Sequence, residues 1–176
     1  MKHLVLGGVR SGKSAFAQEQ VASSGKPVSY VATSQVWDDD MAERVRLHKA
    51  NRPSDWQIIE EPLALAKVLD SLNSPEQAVI VECLTLWMTN LLCLEDEARL
   101  EEEKRALVSA VEAFEGDLVL VSSEVGLGIM PMNALARRFG DEAGVMNQML
   151  AKLTDRVTFV AAGLPLPLKS TSLNHT

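Results

Sequence analysis

Cysteine is scarce in this chain. Of its 176 residues only Cys83 and Cys93 carry thiols, and their spacing fits no zinc or redox motif. Both lie in or beside apolar runs, so they read as buried, reduced thiols, and a chain of this length can bury a full core without disulfides. No apolar run approaches the ~20 residues of a membrane span, so no stable membrane insertion is expected. Met1-Lys2-His3-Leu4 passes straight into an apolar run, which leaves no signal peptide and points to a cytoplasmic protein. Positive charge is short as well: 17 Lys and Arg against 24 Asp and Glu give a net charge of −7. That balance argues against a general nucleic-acid binder. It also means that an anionic ligand has to be held by local cations, not by the overall field. No repeat, linker or low-complexity stretch interrupts the chain. One domain over residues 1–169 is expected, followed by a loose polar tail at 170–176.

What is present begins with Gly7-Gly8-Val9-Arg10-Ser11-Gly12-Lys13-Ser14, a match to the phosphate-binding loop G-x-x-x-x-G-K-[ST]. Residues 2–6 before it read as a strand and residues 14–22 after it as a helix, the context that the motif requires. Its glycines let backbone N–H groups turn inward as an anion nest. The helix N-terminus adds partial positive charge. Lys13 is placed to reach the β- and γ-phosphates, and the Ser14 hydroxyl to ligate Mg²⁺. A bound nucleoside triphosphate is the expectation.

Further along, strands are expected over residues 28–33, 56–60, 77–82, 117–122 and 156–162, the run at 77–82 reading as a buried parallel strand. Helices are expected over residues 38–51, 63–69, 84–94, 95–115 and 133–154. Asp38, Asp39 and Asp40 suit the first turn of a helix rather than a metal site. Glu101-Glu102-Glu103 reads as a solvated face balanced by Lys104 and Arg105. Pro165 and Pro167 keep residues 163–169 from continuing a central strand. Strands alternating with helices imply a three-layer α/β P-loop nucleotide-binding fold with a mostly parallel central sheet. In such a fold the loop at 7–14, residues 33–35, Glu82 and residues 122–128 face one crevice.

Two further residues are candidates for chemistry. Glu82 ends an apolar strand where a Walker-B acid sits, able to hold Mg²⁺ or to accept a hydroxyl proton; the competing reading is a buried acid satisfied by loop N–H groups. His48 stands among Arg44, Lys49 and Arg52, and a neutral imidazole among phosphate-binding cations is a nucleophile for phosphorus. On its own, a histidine on a helix face is more often structural. His3 starts the first strand at the end away from the crevice, and His175 is in the tail.

The ordered set formed by residues 7–14, Ala32-Thr33-Ser34-Gln35, Arg44 to His48 with Arg52-Pro53, Glu82-Cys83-Leu84-Thr85-Leu86-Trp87 and Glu124-Val125-Gly126-Leu127-Gly128-Ile129 resembles the bifunctional adenosylcobinamide kinase / adenosylcobinamide-phosphate guanylyltransferase family of cobalamin biosynthesis. So does the ending Ala162-Gly163-Leu164-Pro165-Leu166. The resemblance implies a two-step enzyme. It phosphorylates adenosylcobinamide with ATP or GTP, then passes GMP from GTP through a histidine to adenosylcobinamide phosphate. By resemblance His48 is the guanylylated residue, with Lys13 and Glu82 beside it in catalysis. The nucleotide contacts are then the loop at 7–14 with Ala32, Thr33, Ser34, Lys49, Ala50, Asn51, Arg52, Glu60 and Glu82. Mg²⁺ would sit on Ser14 and Glu82. The family also implies a homotrimer with sites near subunit boundaries. Leu47 precedes His48 where some members carry a second histidine. The alternatives are a single-activity P-loop kinase with His48 structural, and a non-catalytic GTP-binding switch. The absence of an N-K-x-D-type guanine motif weighs against the switch.

Overall fold

The computed structural model describes residues 1–35 and 55–170. Its elements run β1 (Lys2–Gly7), α1 (Lys13–Ala22), β2 (Val28–Ala32), β3 (Gln57–Glu60), α2 (Leu65–Ser71), β4 (Ala78–Glu82), α3 (Leu84–Leu92), α4 (Glu97–Ala113), β5 (Asp117–Ser123), α5 (Ala134–Leu153), β6 (Arg156–Ala161) and β7 (Leu164–Ser170). The helix expected over 38–51 lies outside the described residues, and with it Arg44, His48, Lys49, Ala50, Asn51 and Arg52; so do residues 171–176 of the tail.

The strands form one sheet in the order β3-β2-β4-β5-β1-β6-β7. All neighbours pair in parallel except β6 and β7. Val5, Tyr30, Ile80, Val119 and Val121 point to one face and pack with Ala17 and Val21 of α1. Their alternates Leu4, Val31, Val79, Val81, Leu118 and Leu120 point to the other, under residues of α2, α3, α4 and α5. Both faces are therefore dry, which is why the central strands read as unbroken apolar runs. The three layers expected from the alternating pattern are those observed.

Three details sharpen or correct the sequence reading. Residues 164–170 form a strand, and as the prolines require it is not a central one: Pro165 and Pro167 sit in β7, antiparallel to β6 at the sheet's edge. An edge strand tolerates a missing N–H donor. Ala162 (φ 51°) and Gly163 (φ 77°) make the reversal between them, the double positive φ of a tight hairpin turn. Second, Glu103 and Lys104 are buried, not solvated. They fall on the same stripe of α4 as Leu100, Leu107 and Val111, and the helical period overrides the look of a charged run. Third, Cys93 is exposed, while Cys83 is half-buried; both are free.

The connection after β1 runs towards β2 and the one after β5 runs towards β6 past β1, in opposite senses. The C-terminal ends of β1 and β5 thus form a topological switch point, where ligands of open α/β sheets bind.

Candidate active site

β1 ends at Gly7, level with Ser123 of β5 and Val160 of β6. A Cβ on Gly7 would stand 2.5 Å from the Val160 carbonyl oxygen, so the loop turns over β6 only with glycine there. Gly12 takes φ +93° as the N-cap of α1 and accepts the Phe16 N–H at 3.1 Å. No described side chain caps α1, so its first N–H groups remain available to an anion. The β6–β7 turn buttresses the loop from behind, with Gly163 N–H donating to Ser11 O at 2.8 Å. Lys13 Nζ donates to Gly8 O at 3.0 Å, which folds the ammonium across the loop where phosphate oxygens are expected.

Glu82 joins this loop from β4. Ser14 Oγ donates to its Oε1, and Tyr30 Oη donates to its Oε2 at 2.8 Å. The contact follows from register. Ala32 pairs with Glu82 on one side and with Glu60 on the other, so the ends of three strands bring two acids to the same edge. Tyr30 lies one same-face step below Ala32, since strand side chains repeat with period two.

The exits of β2 and β4 are bolted together. Thr33 N donates to Glu82 O at 3.1 Å, and the Thr33 hydroxyl bridges both polar groups of the Cys83 backbone. From α3, Asn90 Nδ2 donates to Thr33 O at 2.8 Å and to Pro62 O at 3.0 Å. Thr85 Oγ1 accepts Ser123 N at 2.7 Å, joining the end of β5. Glu124 N donates to Gly7 O at 3.0 Å and closes the circuit back to the phosphate loop. Burial pushes the Cys83 thiol up, with the Glu82 charge in the same direction and Lys13 opposing. That direction disfavours the thiolate that a nucleophile needs.

Of the residues picked from the sequence, Ser14 of the loop meets Glu82, Ala32 pairs beside both Glu82 and Glu60, and Thr33, with Ser34 next in the chain, is tied to the Cys83 backbone. His48, Lys49, Ala50, Asn51 and Arg52 lie outside the described residues. His3 is buried on β1 with Thr158, at the far end of the strand. Sequence reading missed Tyr30 and gave Asn90 no role. The period-two step from Tyr30 to Ala32 is visible in the sequence, but its meeting with Glu82 depends on the β2–β4 register, which is not.

A family profile described as cobinamide kinase / cobinamide phosphate guanyltransferase (CobU) matches residues 3–168. The chain belongs to this family. The curated relative "Bifunctional adenosylcobalamin biosynthesis protein CobP" of Pseudomonas aeruginosa is 48% identical over 173 residues, covering 98% of this chain and all of the relative. "Bifunctional adenosylcobalamin biosynthesis protein CobU" of Salmonella typhimurium is 37% identical over 182 residues, covering 96% of this chain and all of that protein. A solved structure from Pyrococcus horikoshii OT3 matches with a TM-score of 0.59 at 10% identity, covering 98% of this chain and 87% of that one. That likeness speaks to the fold alone. No helix among the described residues is long and apolar enough to cross a membrane.

Proposed function

We propose that this chain is the two-step enzyme its family describes. It phosphorylates adenosylcobinamide, then transfers GMP from GTP to adenosylcobinamide phosphate to give adenosyl-GDP-cobinamide, in cobalamin biosynthesis in the cytoplasm. The observation that carries the reading is the convergence of Lys13, Ser14 and Glu82 at the ends of β1 and β4, in a chain that matches the family over residues 3–168.

In the kinase step the loop at 7–14 holds the triphosphate of ATP or GTP through backbone N–H groups. Lys13 exchanges Gly8 O for phosphate oxygens. Glu82 accepts the proton of the aminopropanol hydroxyl as that oxygen bonds to the γ-phosphorus and the nucleoside diphosphate leaves. This chemistry needs positioning and charge neutralisation more than covalent help. In the transfer step a neutral His48 ring nitrogen bonds to the α-phosphorus of GTP and the bond to the β-phosphate oxygen breaks, releasing pyrophosphate. An oxygen of the cobinamide phosphate then displaces the histidine nitrogen. Ala32, Thr33, Ser34, Lys49, Ala50, Asn51, Arg52 and Glu60 complete the nucleotide contacts.

The Ser14 hydroxyl beside the Glu82 carboxylate is a hard-oxygen donor set of the kind Mg²⁺ takes together with phosphate oxygens and water. Bound there, Mg²⁺ would neutralise the departing pyrophosphate. Assembly as a homotrimer belongs to the same reading. It is supported by Leu164, Leu166 and Leu168, which β7 leaves exposed.

The test is incubation with α-labelled GTP. An acid-labile, base-stable protein label that is absent in His48→Asn is expected of a phosphoramidate. A normal label in that variant would remove His48 as the nucleophile.

A further inference from the structure

We propose that Tyr30 is a positioning residue that fixes the Glu82 carboxylate for nucleotide and Mg²⁺, a role that rests on the assignment of Glu82 given above. Tyr30 is 1% exposed, and its hydroxyl lies 2.8 Å from Glu82 Oε2. Its ring is held in turn against Trp56, with centroids 6.5 Å apart and planes at 31°. The phenol therefore has little freedom of its own, and it transmits that order to a side chain with three rotatable bonds.

The two hydroxyls on Glu82 play different parts. Ser14 belongs to the phosphate loop, and its bond to Oε1 is one that a nucleotide with its cation displaces when the Ser14 oxygen turns to them. Tyr30 comes from β2, beneath the crevice, and has no reason to leave. Once the Ser14 contact is exchanged, Tyr30 holds Oε2 and leaves Oε1 directed at the phosphate loop. A hydrogen bond to an ionised group is among the stronger ones, and burial on the α1 face keeps water from replacing it.

Tyr30→Phe tests this with little disturbance, because the ring and its contact with Trp56 remain. The Mg²⁺ dependence of GTP binding is measured by calorimetry in the wild type, Tyr30→Phe, Glu82→Gln and the double variant, each with its thermal midpoint. The Mg²⁺ concentration for half-maximal binding should rise about tenfold in Tyr30→Phe, the effect of losing one hydrogen bond to a charged group. Adding Tyr30→Phe to Glu82→Gln should bring no further shift, because the two act as a unit. A lowered thermal midpoint with unchanged Mg²⁺ dependence would make Tyr30 merely structural and overturn the proposal. An equal shift in the Glu82→Gln background would show that it acts elsewhere, with the same consequence. If Glu82→Gln alone leaves the Mg²⁺ dependence untouched, the assignment of Glu82 fails and the role of Tyr30 fails with it.

Discussion

Thr33 and Cys83 are joined through a single hydroxyl: Thr33 Oγ1 donates to Cys83 O at 2.7 Å and accepts Cys83 N–H at 2.9 Å. One side chain thus satisfies both backbone groups of the residue that follows Glu82. It ties the exit of β2, where the chain leaves towards residues 36–54, to the exit of β4, where the acid is held. Asn90 adds a second tie from α3 to the Thr33 carbonyl.

Thr33 is fully buried, so Thr33→Val keeps the volume while leaving the Cys83 N–H without its partner; the Cys83 carbonyl keeps the Trp87 N–H at 3.2 Å. The expected loss is about 2 kcal/mol of unfolding free energy, since a buried polar group left unpaired costs its desolvation. Denaturant titration measures it. GTP binding should weaken as well, because the strand ends that carry Ser34 and Glu82 lose their common anchor. A variant as stable as wild type would show that water replaces the hydroxyl.

Among the described residues the Lys13 ammonium hydrogen-bonds Gly8 O alone, so Lys13→Ala should leave the fold intact. A charge-assisted phosphate contact is worth about 1.5–3 kcal/mol, and GTP affinity should fall about 10- to 100-fold. Turnover should fall further, because charge builds up on the phosphates in the transition state. Isothermal titration and steady-state rates separate the two effects. Survival of both activities would dissociate the loop from catalysis.

His3 gives a pH signature to stability. Burial, with the Arg156 charge in support, lowers its pKa from 6.5 to about 4. Its Nε2 pairs with Thr158 Oγ1 at 2.8 Å, while Nδ1 has no partner among the described residues. The unfolded chain therefore binds a proton between pH 6.5 and 4 that the folded chain refuses. The contribution of a neutral His3 is fully present above pH 6.5 and is lost as the pH falls through the folded value. The drop from 6.5 to about 4 implies a span on the order of 3 kcal/mol. His3→Gln should flatten the stability profile in that window and leave the pH dependence of catalysis unchanged.

How much of this was legible in the sequence differs by element. The phosphate loop, the parallel sheet and Glu82 follow from local patterns: a spaced motif, unbroken β-branched runs, and an acid at a strand end. Tyr30, Thr33 with Cys83, and Asn90 become a network only through strand register and the packing of α3, and these are set by the whole fold. The edge strand β7 hid behind its prolines, which forbid a central position but not an outer one. Glu103 and Lys104 hid behind their charge.

Those two residues make a prediction of their own. Lys104 Nζ lies 2.7 Å from both Glu101 and Glu142 and pins α4 to α5 from a largely buried position. Lys104→Met removes the cation and leaves Glu142, itself partly buried, without it. Full burial of such a pair would make its rupture cost about 3–5 kcal/mol. Partial exposure of both carboxylates lowers the expectation to about 2 kcal/mol. Pairing Lys104→Met with Glu142→Leu should recover most of the loss, because the remaining charge is replaced by apolar contact. A double variant no better than the single would mean that the ion pair has little part in holding α4 on α5.

Gly7 offers the sharpest steric test of the site. An alanine there would place Cβ 2.5 Å from both Ser11 Oγ and the Val160 carbonyl oxygen. The serine can rotate away, but Val160 O belongs to β6 at the level where it pairs with Gly7. The strand ends must therefore separate, and the loop that follows loses its registry with Glu124 N, which bonds Gly7 O. Gly7→Ala should lower the thermal midpoint by several degrees, the scale of about 1–3 kcal/mol of overpacking in a domain of this size. It should also weaken GTP binding far more than that loss of stability alone would. Gly8→Ala is the matched control, since nothing stands within 4 Å of its added carbon. Equal effects from the two substitutions would mean that loop flexibility, and not the close approach of β6, is what the glycines provide.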